Sequence, residues 1–231
     1  MEFWLWFYVA AMAVGVVLFR YWRANPRGIP PVEYAIATAI PLWSGFWYVV
    51  MAVGGGRIDV ADQTTFWARY ADWVVSTPLL LIALSLTAMH ALPHKRWGLV
   101  RALVAADIIM ITSGFLADLM ESPTWRYGLY LLGVVALLVV FGLIWGPLRA
   151  TAARQPAPMS RVFTQVALLL SVLWVGYPLI WILGPSGFGL FGDTTDTALF
   201  VILPILSKVV WSAVDLALLR RLSDRGLLNV S

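Results

Sequence analysis

The 231-residue chain contains no cysteine and few charged residues. The absence of cysteine excludes disulfides and thiolate metal sites, and we expect no metal centre. Charged residues make up 12% of the chain and hydrophobic residues 61%, whereas a soluble domain is about a quarter charged. The first apolar segment, FWLWFYVAAMAVGVVLF, also lacks a basic leader and a small-residue cleavage site, so we expect it to remain as a membrane span. The composition therefore predicts an all-α protein that crosses a membrane several times.

Seven segments are long and apolar enough to cross a bilayer, which takes about 20 residues each. They are residues 3–22, 32–53, 65–91, 98–118, 126–148, 161–184 and 197–220. The connections between them are short, so we expect one domain, residues 1–231, folded as a seven-helix bundle. Basic residues cluster after every second span, beginning with Arg20 and Arg23. Because basic residues favour the cytoplasmic side, we expect the N-terminus outside the cell membrane and the C-terminus in the cytoplasm. Membrane orientation accounts for the net charge of +4, and we expect no nucleic-acid partner.

Five charged residues fall deep within the predicted spans, where a charge is costly and therefore suggests function. They are Arg69, Asp72, Asp107, Lys208 and Asp215. Lys208 has two interpretations: an ion pair with Asp72, or a lysine that forms a Schiff base with an aldehyde and needs a carboxylate beside it. Arg69 and Asp72 share one face of span three, and Ser76, four residues after Asp72, is expected to hydrogen-bond to that carboxylate.

Span six carries an aromatic face. Trp174, Tyr177, Pro178 and Trp181 recur at helical spacing in VLWVGYPLIWILG, so they point in one direction. Core packing is the commoner meaning of such a stripe, and the wall of a chromophore pocket is the alternative.

Taken together, these motifs resemble those of the microbial rhodopsins over nearly the whole chain. RYADW and TPLLL in span three are similar to the counterion helix of the archaeal outward proton pumps, and WxxYPxxWxxG in span six is similar to the helix that clamps retinal. Lys208 falls where the family attaches retinal. The resemblance implies a retinal-binding membrane protein that is not an enzyme, with trimers as the expected assembly.

The resemblance also implies roles for individual residues. Lys208 would carry the Schiff base, Asp72 would be the primary counterion, and Arg69 would stabilise its ionised state from the extracellular side. Asp107 would be protonated near the ring of retinal. The implied retinal-contacting residues are Tyr48, Trp73, Thr77, Leu80, Met110, Gly114, Trp125, Trp174, Tyr177, Pro178, Trp181 and Ser207.

Three positions depart from the pattern of the outward pumps. The carboxylate eleven residues after the counterion is replaced by Ala83, and the aspartate four residues before the lysine by Pro204. Pro204 also leaves the carbonyl of Phe200 without its helical partner. Asp215 follows Lys208 by seven residues, about 10.5 Å along one face of a helix. This combination resembles the xenorhodopsins, which are inward proton pumps, and the related cyanobacterial sensory rhodopsin.

Two functions stay open on the sequence. In the first, light drives a proton from Lys208 towards Asp215 and the cytoplasm, and reprotonation comes from outside through the Asp72–Arg69 region, with Asp196 near the mouth. In the second, the protein is a photosensor that signals through a separate soluble transducer. A chloride pump is disfavoured because the counterion Asp72 is present. A sodium pump is disfavoured because it would carry a different polar trio on span three.

The last proton-release group is also open. Pumping relatives pair the cytoplasmic carboxylate with a histidine on span two, but the histidines of this chain are His90 and His94, at the end of span three. Glu33, at the start of span two, could act as a gate or exit group. An ordinary interfacial charge is its simpler interpretation.

Overall fold

Seven helices form a bundle within residues 1–60 and 63–228, the part of the chain that the computed structural model describes. They are α1 (Glu2–Arg23), α2 (Pro31–Ala52), α3 (Trp67–Ala88), α4 (Trp97–Leu119), α5 (Pro123–Ala152), α6 (Ala157–Leu183) and α7 (Asp193–Asp224). Each is long and apolar enough to cross a membrane, so the seven predicted spans are confirmed. Helices α5 and α7 extend beyond the predicted 126–148 and 197–220 because a helix can continue past the hydrocarbon into polar sequence, where hydropathy no longer marks it.

A short β-hairpin lies between α2 and α3, where we expected only a short connection. Strands β1 (Ile58–Val60) and β2 (Gln63–Thr65) pair antiparallel, with Ile58 opposite Thr65. We call this end of the bundle the hairpin end (residues 53–60, 63–66, 120–122 and 184–192). The opposite end, where α7 finishes, is the tail end (residues 24–30, 89–96, 153–156 and 225–228).

The helices pack in chain order, and α7 closes the bundle. Neighbours from α1 to α5 contact each other in sequence, while α7 contacts α1, α2 and α6. Large apolar side chains such as Val17, Leu42 and Leu138 face outward and are exposed. The deep charged residues of the sequence, in contrast, are all buried. A polar interior inside an apolar exterior is the arrangement expected for a bundle surrounded by lipid.

Proline distorts α7 next to its lysine. Pro204 cannot donate a backbone hydrogen bond, and the helix widens into a π-helical turn at Ile205–Val210 directly after it. Ser207 and Lys208 lie in this turn. Such turns often occur at functional sites, because they re-aim side chains within an otherwise regular helix.

Candidate functional site

Lys208 forms a buried ion pair at the centre of the bundle. Its Nζ lies 2.5 Å from Asp72 Oδ2, and neither side chain is exposed. Ser44 of α2 completes the group: its hydroxyl donates to Asp72 Oδ2 at 2.8 Å and lies 3.0 Å from Lys208 Nζ. Tyr8 of α1 contacts the same hydroxyl at 2.6 Å. The ion pair that the sequence allowed is therefore present, and it holds a carboxylate within hydrogen-bond distance of the lysine nitrogen.

The expected partner of Asp72 on its own helix was wrong. Among the described residues, the Ser76 hydroxyl has no hydrogen-bond partner and Asp72 Oδ1 has none either. The bonded oxygen of Asp72 faces α2 and α7 instead, where Ser44 and Lys208 supply the donors. Ser44 was missed because its role depends on how α2 is rotated against α3. Its only sequence signal is a hydroxyl inside an apolar span, four residues before Tyr48.

Arg69 bonds to Asp196, in the first turn of α7, rather than to Asp72. Its Nη1 lies 3.0 Å from Asp196 Oδ2. Its guanidinium also stacks on two rings, 4.8 Å from the centroid of Phe66 and 4.7 Å from that of Phe200. Arg69 and Asp196 border a polar cavity that also involves Asp118 and Asp193. This cavity separates the Lys208 group from the hairpin-end surface.

An apolar cavity lies between α3, α4, α5 and α6. Of the residues implied to contact retinal, it is lined by Trp73, Thr77, Met110, Gly114, Trp174, Tyr177, Pro178 and Trp181. Residues that the sequence did not single out add Tyr70, Ile111, Tyr130, Gly133, Val134, Leu137 and Phe200 to the lining. The Tyr177 hydroxyl is 2.7 Å from that of Ser207, the residue before Lys208, so the cavity ends next to the lysine.

Trp125 does not belong to this cavity, and its implied contact with retinal is corrected. Its side chain is 68% exposed near the start of α5. Tyr130 supplies the α5 wall instead, stacking on Trp181 with centroids 4.7 Å apart. Leu80 is buried in the core beside the cavity without lining it. Tyr48 and Ser207 likewise lie beside it, towards α7.

The carbonyl that Pro204 leaves free is bonded by Tyr48. The Tyr48 hydroxyl donates to Phe200 O at 2.7 Å, and its ring stacks on Tyr8 with centroids 3.6 Å apart. In the outward-pump pattern the Pro204 position holds a carboxylate. Here a backbone carbonyl is the acceptor, so the Pro204 position places no second negative charge beside Lys208.

Replacing Tyr48 by Phe is expected to destabilise the protein by about 1–3 kcal/mol, because the Phe200 carbonyl is then buried without a donor. In a P204A background the loss is expected to be smaller, since the restored N–H can bond that carbonyl. Unfolding in detergent followed by tryptophan fluorescence, arranged as a double-mutant cycle, measures the difference. Equal losses in both backgrounds would show that Tyr48 and Pro204 act independently.

Two further buried carboxylates hold the cavity walls. Asp107 accepts a hydrogen bond from Thr77 at 2.7 Å, linking α4 to α3. Asp118, near the end of α4, accepts bonds from the Tyr70 hydroxyl at 2.7 Å and from Trp181 Nε1 at 2.8 Å. Since Tyr70 and Trp181 both line the cavity, Asp118 fixes its hairpin-end wall.

Asp215 lies on the tail-end side of Lys208. It is 4% exposed, and its carboxylate accepts from the Thr87 hydroxyl at 3.0 and 3.2 Å. Gln155 steadies Thr87 by donating to the Thr87 and Ala88 carbonyls at 3.0 and 2.8 Å. Thr87 and Gln155 were missed because both come from other parts of the chain.

Ser212 occupies the helix face between Lys208 and Asp215. It follows Lys208 by four residues and precedes Asp215 by three, so the three side chains share one face. Its hydroxyl is buried and has no partner among the described residues. A buried hydroxyl without a partner is a suitable position for a bridging water.

Glu33 is not the ordinary interfacial charge that was the simpler interpretation. It is 7% exposed, and its Oε1 lies 2.9 Å from Nδ1 of His90. The sequence drew attention to Glu33 and to His90, but it did not predict that the two side chains pair. Their pairing depends on the contact between the start of α2 and the segment after α3, which neither local pattern specifies.

Known proteins share the sequence pattern and the fold of this chain. The profile of the family described as Bacteriorhodopsin-like protein matches residues 1–222. Sensory rhodopsin-2 of Natronomonas pharaonis is 33% identical over 88% of this chain and 83% of its own length. The crystal structure of thermophilic rhodopsin from Rubrobacter xylanophilus superposes with a TM-score of 0.90 at 33% identity, covering 98% of this chain and 99% of the other. The light-driven proton pump of Coccomyxa subellipsoidea superposes with a TM-score of 0.85 at 26% identity, covering 94% and 95%.

The family match agrees with the chemistry of the site. Proteins of this family bind retinal covalently through a Schiff base on a lysine, and they act as light-driven pumps or as sensors rather than as enzymes. The seven helices, the buried lysine–carboxylate pair and the apolar cavity are the corresponding features of this chain. The protein therefore belongs to the bacteriorhodopsin-like family of microbial rhodopsins, multi-pass membrane proteins that carry retinal.

Proposed function

We propose that this protein is a light-driven inward proton pump of the xenorhodopsin subgroup. The observation that carries the proposal is Asp215: a buried carboxylate on the tail-end side of Lys208, bonded only by the neutral donor Thr87 among the described residues. The positions where an outward pump would hold its own carboxylates are Ala83 and Pro204. The buried carboxylate on the tail-end side thus lies on α7 at Asp215, and α3 has alanine at the position of the outward pumps' proton donor.

The proposal requires the tail end to face the cytoplasm. Basic residues collect at that end and in the helix turns beside it, as the positive-inside tendency predicts for a cytoplasmic surface. They are Arg20, Arg23, Arg27, Lys95, Arg96, Arg101, Arg149, Arg154, Arg161, Arg220, Arg221 and Arg225. At the hairpin end and the helix ends beside it, the acidic residues Asp59, Asp118, Glu121, Asp193 and Asp196 outnumber the basic residues Arg57 and Arg126. On this orientation Asp72 and Arg69 lie on the extracellular side of Lys208, and Asp215 on the cytoplasmic side.

Lys208 is the proposed attachment site for retinal. The chain contains two lysines, and Lys95 lies outside the helices, where its Nζ bonds to backbone carbonyls at 2.5, 3.1 and 3.2 Å. The apolar cavity suits a hydrocarbon chain held between rings, since Trp73, Trp174 and Tyr177 line it and Thr77 is its one aliphatic hydroxyl. When bound, retinal supplies light absorption and an isomerisation that redirects the attached nitrogen.

The protein's own groups then give the movement of the proton its direction. Asp72 and Ser44 hold the lysine nitrogen on the extracellular side before light is absorbed. Ser212 and a bridging water are proposed to connect that nitrogen with Asp215, which takes the proton. Proton transfer needs a hydrogen-bonded path first and a suitable proton affinity second. Reprotonation is assigned to the polar cavity beside Arg69 and Asp196, which lies on the extracellular side of Lys208 in this orientation.

Illumination of lightly buffered cells that express the protein is expected to make the medium alkaline, because protons are taken up. A protonophore is expected to abolish the sustained pH change. Cells that carry the K208A variant serve as the matched control for heating and scattered light. Acidification of the medium would overturn the inward direction.

A photosensor is the second candidate, because a sensory rhodopsin is among the relatives that match most of this chain. A sensor would use the same light-absorbing core and pass its conformational change to a separate soluble transducer. Repeated light-driven absorbance changes without any pH change would favour this function over transport. Assembly into trimers stays a prediction in either case.

A further inference from the structure

We infer that Glu33 and His90 form a paired exit gate, which takes the proton from Asp215 and releases it at the cytoplasmic surface. The inference rests on the inward pump proposed above and names the release groups for that pump. It also differs from release through water alone, because it requires two particular ionisable side chains that lie in contact.

The pair is built into the fold rather than placed on its surface. Glu33 Oε1 and His90 Nδ1 are 2.9 Å apart, with the two side chains 7% and 6% exposed. Glu33 comes from the first turn of α2, and His90 follows the last turn of α3. Burying a carboxylate is costly unless it is bonded, so a pair this enclosed is a specific feature of the bundle.

The pair is connected to Asp215 through α3. The Thr87 hydroxyl bonds to Asp215, and the His90 backbone N–H bonds to the Thr87 carbonyl at 3.5 Å. Thr87 and His90 therefore lie in one turn, with one facing the acceptor and the other facing Glu33. Glu33 is also near enough to Asp215 to interact with it electrostatically.

Glu33 has an oxygen free to receive a proton. Its Oε2 is buried and has no hydrogen-bond partner among the described residues. Buried acceptors are rarely left unbonded unless a water, an ion or a function accounts for them. We assign Oε2 as the entry point. One proton arrives there from Asp215, and one proton leaves His90 for solvent, so the number of protons held by the pair is restored after each turnover.

Two cations lie near this region, and they are directed differently. Lys95 donates to the Met89, His90 and Leu92 carbonyls, which places its charge beside the pair. Partial burial lowers the pKa of Lys95, and the negative charge of Glu33 opposes that shift. Arg220 of α7 is directed away, bonding to the Tyr34 hydroxyl at 2.8 Å and the Asn25 carbonyl at 2.7 Å. The proton affinity of the gate is thus set by the charges of four groups: Glu33, His90, Asp215 and Lys95.

The competing explanation is that the Glu33–His90 contact only holds α2 and α3 together. One variant distinguishes this structural role from proton release. The double variant E33Q/H90N keeps two polar side chains able to hydrogen-bond but removes both titrating groups. The single variant H94N changes the other histidine, which is exposed, and is the matched control. Thermal bleaching of the pigment in each variant reports whether the contact between α2 and α3 is still stable.

The test follows two events after a single laser flash in nanodiscs. Infrared absorption reports protonation of Asp215, and a pH-sensitive dye in the bulk reports proton release. For E33Q/H90N, protonation of Asp215 is expected at the wild-type rate. Release to the dye is expected to be delayed about a hundredfold or more, in the range typical for removal of an acid–base group. In the wild type, release is expected to be slower in acidic medium, since an already protonated pair accepts no proton. That pH dependence is expected to be lost in E33Q/H90N and kept in H94N.

The outcomes separate this inference from the proposed function. Wild-type release kinetics in a stably folded E33Q/H90N variant would overturn the gate and leave the pump intact. Delayed release together with delayed protonation of Asp215 would also overturn it, because the change would then lie upstream. Acidification by the wild-type protein in the cell assay would overturn the inward pump itself, whatever the variants do.

Discussion

Replacing Asp215 by Asn is expected to reduce light-driven proton uptake about a hundredfold or more, a loss in the range typical for removal of an acid–base group. Asparagine has nearly the same shape and can still accept a hydrogen bond from Thr87, but its amide cannot hold the transported proton. The pigment is expected to form normally, because Asp215 lies outside the apolar cavity. Uptake per absorbed photon, measured with a pH electrode in cells of equal pigment content, gives the result.

The matched control is D224N. Asp224 is the last residue of the same helix, and it pairs with Arg27 at the tail end, where its side chain is 51% exposed. The same chemical change at an exposed position should leave uptake unaltered. Undiminished uptake in D215N would move the acceptor to another group. Equal losses in D215N and D224N would point to a general effect of tail-end charge instead.

Hydropathy and local spacing sufficed to predict the helices and the deep charges. Apolar runs report membrane spans directly, and each deep charge stood out against its own segment. The partners of those charges were not predictable in the same way. Ser44, Thr87 and Gln155 reach their partners across helix contacts, and those contacts depend on helix rotation and depth. The periodicity of a single segment gives neither the rotation of its helix nor its depth in the bundle.

Trp125 illustrates the limit for the cavity. The resemblance to rhodopsins implies an aromatic residue from span five against retinal, and Trp125 is the tryptophan near the start of that span. Tyr130 lies five residues later, about 1.4 turns of an α-helix, so the two side chains leave α5 in different directions. Tyr130 stacks on Trp181, while Trp125 is exposed. A match by residue type was therefore insufficient where the helical phase decided which ring faces inward.

Replacing Lys208 by Ala is expected to abolish the pigment completely, because the proposed attachment nitrogen is lost. The matched control is K95R, which removes the other lysine and keeps its positive charge, and which should form normal pigment. Reconstitution with all-trans-retinal, followed by a spectrum after acid denaturation, detects covalent attachment. A denaturation-resistant pigment in K208A would assign attachment to another residue.

The same variant also tests the buried ion pair separately from the chemistry. In K208A, Asp72 remains buried with Ser44 as its only hydrogen-bond donor among the described residues. Removing one partner of a buried pair costs about 3–5 kcal/mol, because the remaining charge is left uncompensated. The double variant K208A/D72N is expected to recover most of this free energy of unfolding in the retinal-free protein, while still forming no pigment. Failure of D72N to recover stability would mean that the loss in K208A comes from the cavity left by the side chain. Recovery would show that the charge on Asp72 is held in place by Lys208, so that any light-driven change at that nitrogen acts directly on the counterion.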